Sequence, residues 1–135
     1  MSIELDHIMI PSRNSMASAK QLAELLAVPW GKADAGPFVA VYVNDALTLD
    51  FDEWGNDAPR IHYCFRVDDA DFDAILGRLK STGIAYRSSV HGPVDFRIGN
   101  GYGGRMVYWN EPDDHQWEML TVSYARQSEE DKGRR

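Results

Sequence analysis

The chain runs through one order of apolar and polar positions twice. Residues 3–10 form an apolar stretch that predicts a strand, with His7 inside Leu5-Asp6-His7-Ile8-Met9-Ile10. Asn14 stands seven residues past that histidine and opens a stretch with Ala19, Leu22, Ala23, Leu25 and Leu26 on one stripe. Apolar positions three and four apart predict a helix over 14–27, capped by Asn14 or Ser12 and stopped before Pro29. Residues 37–43 and 46–52 predict a hairpin turning through Asn44-Asp45. Residues 54–59, with Gly55, Asn56, Asp57 and Pro59, read as a linker.

The order then returns. Residues 60–67 predict a strand around His62, a shift of 55 from position 7 to position 62, and Asp69 falls seven residues past this second histidine. Asp69 caps a predicted helix over 70–82, with Phe72, Ile75, Leu76 and Leu79 at helical spacing and Gly83 as its stop. Residues 84–88 predict a short strand, and 104–110 and 115–122 a second hairpin joined by Glu111-Pro112-Asp113-Asp114. Self-similarity at a fixed shift constrains the whole fold. The expectation is a single α+β domain over 1–125, made of two β-α-β-β-β modules in tandem at 3–53 and 60–122 and related by a pseudo-two-fold. The second module has extra residues between His91 and Gly103, rich in glycine, and a long loop in one copy only suits a lid or rim. Residues 126–135 read as a charged, disordered tail.

Composition narrows the class. The 135 residues are 44% hydrophobic and 26% charged, ordinary for a globular domain large enough to bury a core. A net charge of -7 argues against nucleic acid and anionic membrane as partners. No apolar run approaches a membrane span, and Met1-Ser2-Ile3-Glu4 has no leader-like character, so a cytoplasmic protein is expected. Cys64 is the single cysteine; mid-strand, it is expected to be a small inert hydrophobe rather than a nucleophile.

The repeat also doubles a set of polar residues. Leu47-Thr48-Leu49-Asp50-Phe51 aligns with His115-Gln116-Trp117-Glu118-Met119, so each module offers a histidine on its first strand and a carboxylate inside its last apolar strand. A carboxylate in such a place needs a partner, because an unpaired buried charge costs several kcal/mol. One divalent metal held by His7, His62, Glu118 and Asp50 is such a partner, and fewer than a full protein ligand set leaves positions open for substrate. Asp50 has Asp52 and Glu53 beside it as rivals for its place. A lone strand histidine is more often a satisfied structural residue, and it is the doubling that favours the metal. His91, Arg97, Tyr102, Arg105 and Tyr108 are candidates for substrate contact, although surface charge and hairpin packing explain them equally well. Trp109 is the tryptophan assigned to a substrate pocket, and His115 is expected to be a structural turn residue.

At these residues the chain resembles the vicinal oxygen chelate superfamily, which includes glyoxalase I, extradiol dioxygenases and the fosfomycin and bleomycin resistance proteins. The stretch Gly103-Gly104-Arg105-Met106-Val107-Tyr108-Trp109-Asn110-Glu111-Pro112-Asp113-Asp114-His115-Gln116-Trp117-Glu118 is similar to that family's closing hairpin and its metal-binding glutamate. The resemblance implies a half-open barrel from each module around a metal-binding cleft. It places His7, His62 and Glu118 at the ligand positions and Asp50 near the fourth. It also implies one divalent metal (Mn, Fe, Ni, Co or Zn), a homodimer, and a small substrate chelated through vicinal oxygens. Asp114 departs from the family's glycine, and Ile98-Gly99-Asn100-Gly101 lacks the extra histidine of extradiol dioxygenases, which argues against ring cleavage. The leading expectation is a metal-dependent lyase or isomerase in which Glu118 or Asp50 moves a proton. The alternatives are a metal-independent sequestration protein and an extradiol-type dioxygenase.

Overall fold

Backbone partners decide where the strands begin and end. In the computed structural model, which describes residues 2–126, the chain follows the order β1 (His7–Ser12), α1 (Ser15–Leu26), β2 (Trp30–Lys32), β3 (Val39–Tyr42), β4 (Thr48–Glu53), β5 (His62–Arg66), α2 (Asp69–Thr82), β6 (Tyr86–Arg87), β7 (Met106–Trp109) and β8 (Gln116–Leu120). The expected tail lies outside the described residues except for Arg126. The strands form two four-stranded mixed sheets, ordered β1-β4-β3-β2 and β5-β8-β7-β6. The chain therefore adopts the tandem β-α-β-β-β plan, and neither sheet closes on itself.

The first strand starts at His7 rather than residue 3, because its parallel partner β4 begins at Thr48, opposite His7. It runs on through Pro11 to Ser12; β1 is an edge strand, where a proline's missing N–H is tolerated. The turn between β3 and β4 is longer than two residues. Oδ1 of Asn44 accepts hydrogen bonds from Ala46 N and Leu47 N, and Tyr42 pairs with Thr48. The sequence reading assigned no residues to β2, whose three residues are too few to show alternation.

Both helices are capped at each end, α1 at the residue its sequence calls for. Oδ1 of Asn14 accepts from Ala17 N at 3.1 Å, and Ala27 closes α1 in the left-handed region at φ 55°. In α2 the cap is Asp68, one residue before the expected Asp69; its Oδ1 accepts from Asp71 N at 2.8 Å. Asp69 instead joins Asp71 in the first turn, where negative charge suits the helix dipole, and Gly83 ends the helix at φ 73°.

By contacts the chain divides into two compact units, residues 2–61 with 110–115, and residues 62–109 with 116–126. In the first unit α1 packs on β3 and β4, burying Ala19, Leu22 and Ala23 with Ile10, Val39, Val41, Leu49 and Phe51. In the second, the buried set is Phe72, Ile75 and Leu79 of α2 with Val107, Trp109, Trp117 and Met119. Tyr63 and Phe65 stack on Trp117 at ring-centroid distances of 4.6 and 5.8 Å.

The second module's hairpin turn belongs to the first unit. His115 is fully buried there. Its Nε2 donates to the carbonyl of Pro11 at 2.7 Å, and its Nδ1 accepts from Ile61 N at 3.0 Å. Asp113 accepts from Arg13 N at 2.8 Å, and Asp114 pairs with Arg60. His115 is thus the structural turn residue expected.

His115→Ala leaves the buried Pro11 carbonyl without its donor and the part-buried Ile61 N–H without its acceptor, at a cost of about 1–3 kcal/mol for the first and less for the second. Urea unfolding should show a loss of about 3 kcal/mol. A second prediction concerns Asp95, whose carboxylate accepts from the Ser88 hydroxyl, Ser88 N and Arg97 N. The Ser88 hydroxyl, above all, holds the Asp95 pKa below its ordinary 3.8. Its contribution to stability is therefore full above pH 3.8 and lost as pH falls through the lowered folded value. The urea midpoint of wild type should fall more steeply below about pH 4 than that of Asp95→Asn.

Candidate functional site

Register puts equivalent side chains on one face of each sheet, since residues paired across strands share a face. His7 lies opposite Thr48 and Met9 opposite Asp50, while Ala40 and Tyr42 flank the same two β4 residues from β3. In the second unit His62 lies opposite Gln116 and Cys64 opposite Glu118, with Tyr108 on the far side of Glu118. In both units the carboxylate stands two register steps beyond the histidine. The alignment of Asp50 with Glu118 holds residue for residue.

In the first unit, His7 Nδ1 is 2.8 Å from Asp6 Oδ2, and both side chains are exposed. The hydrogen bond to Asp6 raises the His7 pKa. His7 and Asp50 line a pocket of about 330 Å³ with Asp6, Thr48 and the apolar Ala33, Ala35, Phe38, Ala40 and Tyr42.

The second unit holds the tighter pair. Glu118 is 0% exposed, and its Oε1 lies 3.2 Å from Nε2 of His62. Nδ1 of His62 is 2.9 Å from the carbonyl oxygen of Gln116. A carbonyl only accepts, so Nδ1 carries the proton and Nε2 turns its lone pair toward the carboxylate. Two acceptors facing each other at that distance need either a proton between them or a metal ion. Two ligands of one metal, bonded at about 2.1 Å, stand roughly 3.0–3.4 Å apart. Glu118 Oε2 is buried and accepts no hydrogen bond, while Oε1 accepts from the hydroxyl of Tyr124 at 2.6 Å. A sealed carboxylate with one orphaned oxygen beside a presented imidazole nitrogen fits a divalent metal. Among the described residues, no three His, Cys, Asp or Glu gather into one metal-holding group. The structure thus brings the four sequence-predicted ligands together as two pairs.

The carboxylate dominates its neighbours. Cys64 is exposed rather than buried as a strand hydrophobe, yet its thiol is pushed up to about 12, first by desolvation and then by the Glu118 charge. The same two causes push Tyr108 up to about 12, and burial followed by its hydrogen bond to Glu118 pushes Tyr124 well above the ordinary phenol range. Tyr124 was not singled out in the sequence; it sits beyond the end of β8, where no period marks it. The expected substrate contacts scatter. His91 is exposed in the glycine-rich loop, as is Arg97. Arg105 is committed to Asp69 at 2.9 Å and Asp73 at 2.6 Å, with its guanidinium 4.4 Å from the centroid of the Phe72 ring. Trp109 is wholly buried, its indole N–H without a partner. Tyr102 stacks on Tyr124 with ring centroids 5.0 Å apart.

No family sequence profile matches the chain, and no curated protein matches it in sequence. Solved structures do. The structure of oxidase ChaP-H2 is 30% identical with a TM-score of 0.85, covering 95% of this chain and all of the other. That of oxidase ChaP-H1 is 34% identical with a TM-score of 0.83, covering 93% of this chain and all of the other. A glyoxylase/bleomycin resistance protein/dioxygenase domain from Frankia sp. EAN1pec shares the fold at 16% identity and a TM-score of 0.67, covering 91% and 100%. The chain belongs to the vicinal oxygen chelate superfamily. Divalent metals are common in that superfamily, and the residues of this member fit one. None of the helices described is long and apolar enough to cross a membrane.

With a thiol pKa of about 12, Cys64 carries almost no thiolate at pH 8. Metal-free protein should be alkylated by iodoacetamide at least about 100-fold more slowly than free cysteine, and Glu118→Gln should narrow that gap. A rate equal to that of free cysteine would contradict the assignment.

Proposed function

We propose that the protein is a metal-dependent oxidase acting on a small organic substrate with vicinal oxygens. The observation that carries this is the His62–Glu118 pair, whose facing acceptors and orphaned oxygen suit a metal ion. With His7 as third ligand the donor set is two histidines and one carboxylate, the combination that suits iron(II) and oxygen chemistry. Full-length likeness to two proteins named oxidases supports the same choice. The lack of a histidine in Ile98–Gly101 keeps ring cleavage the weaker form of it.

The bound metal would supply open coordination positions for substrate oxygens and for dioxygen. The chain's own residues do the rest. The carbonyl of Gln116 fixes the His62 tautomer that presents Nε2. Asp50, half-buried in the pocket beside His7, is placed to take a proton from a substrate hydroxyl. The apolar walls Phe38, Ala40 and Tyr42 favour an apolar ring over a hydrated chain. The proton-transfer reading, lyase or isomerase, keeps one favouring observation: the same Asp50 stands in the pocket without needing oxygen.

Superfamily membership supports a homodimer. The test is elemental analysis of untagged protein, with His7→Ala and His62→Ala beside it, followed by oxygen uptake with o-diphenols. Near-stoichiometric iron in wild type, lost in both variants, together with oxygen uptake, is expected. Absence of metal after anaerobic iron(II) reconstitution would sink the proposal. Turnover without oxygen would move it to lyase or isomerase. Refolding equal amounts of the two variants together should restore about a quarter of the metal if each site draws on two copies, and none if one chain supplies all ligands.

A further inference from the structure

The glycine-rich loop that only the second module carries reaches the buried carboxylate through two tyrosines. Oε1 of Glu118 has two neighbours, the Tyr124 hydroxyl at 2.6 Å and Nε2 of His62 at 3.2 Å, whereas Oε2 has no hydrogen-bond partner. The two oxygens are chemically identical, so this difference arises from how the carboxylate is turned, and the Tyr124 hydroxyl donates to Oε1 at short range while Tyr108 and Cys64 lie further off. The Tyr124 ring is in turn stacked on Tyr102, centroids 5.0 Å apart and planes at 30°. Tyr102 stands between Gly101 and Gly103 at φ 58°, a left-handed conformation uncommon for a bulky residue. Its side of the stack faces water, at 70% exposure, so burial does not account for its holding that conformation.

The first module lacks this device. The shift that carries Asp50 onto Glu118 carries Asn56 onto Tyr124, and Asn56 is an exposed residue of the short turn Gly55–Asp57. Among the described residues no tyrosine hydroxyl is bonded to Asp50, whose side chain is only partly buried.

We propose that Tyr124 is a positioning residue for Glu118: its hydroxyl fixes the turn of the carboxylate so that Oε1 faces Nε2 of His62, and Tyr102 braces Tyr124 from the loop. This rests on the metal reading above. It assigns the insertion a task within the second unit, support of a ligand, and it separates the two carboxylates into one held rigidly and one left free.

The test is cobalt(II) titration of the purified protein, following affinity and the cobalt d–d absorption. Tyr124→Phe keeps the ring and its stacking and removes the hydroxyl alone. It should weaken cobalt binding about 10–100-fold, as loss of a ligand's supporting hydrogen bond does. It should also shift the absorption band. A role in packing alone would leave affinity and band at their wild-type values. Tyr102→Ala, which keeps the hydroxyl but removes the brace, should move both in the same direction by less. Wild-type affinity and band in Tyr124→Phe would overturn the proposal, and wild-type behaviour in Tyr102→Ala alone would overturn the brace. Glu118→Gln separates this failure from that of the metal reading. Cobalt binding unchanged by Glu118→Gln, or absent from wild type, would overturn both.

Discussion

Glu118 carries its carboxylate at zero exposure in the middle of β8, and burying an uncompensated charge of that kind costs several kcal/mol. Much of the chemistry in the second unit follows from that one placement. The Tyr124 hydroxyl takes one oxygen, the presented nitrogen of His62 faces the same oxygen, and the other oxygen is left with nothing. The Cys64 thiol and the Tyr108 phenol are held protonated by the same burial and the same charge. A sheet that accepted Gln or Leu at this position would be simpler to fold. The retained charge makes sense where a cation comes to meet it.

The two modules share a register and differ in what fills it. Ala40 and Tyr108 occupy equivalent places beside Asp50 and Glu118, and Gly31 and Arg87 occupy the next places outward. Small residues leave the first sheet face open as a pocket. In the second, Tyr108 packs with Met106, Leu120 and Val90, so that face is filled by the protein itself. One module thus offers room and the other a tightly held histidine–carboxylate pair, a difference that a strictly symmetric pair could not provide.

Much of this was legible in the sequence because it rests on period and spacing. The doubled histidine, the stripe on α1, the cap at Asn14, the stop at Gly83 and the alignment of Asp50 with Glu118 are local signals, and each matches the observed register or cap. The reading slipped where a distant partner decides. β1 waits for Thr48, so it begins at His7, and Asp68 rather than Asp69 caps α2 because only its side chain reaches back to Asp71 N. β2 is too short to show a period. Side-chain fates were least legible: nothing local shows that Arg105 is committed to Asp69 and Asp73, that Trp109 is sealed in a core, or that Tyr124 bonds to Glu118.

The sequence repeat and the compact units do not coincide, because the turn holding Asp113 and His115 is built into the first unit. On the ribosome, the first unit is therefore incomplete until residue 115 has emerged, long after β4 has been made. Until then Pro11 and Ile61 lack their buried partner, and the early half of the chain waits with an unfinished edge. A gene cut at the linker near residue 60 would separate two halves of the repeat but would not yield two finished folding units. The hairpin turn thus ties completion of the first unit to synthesis of the second module.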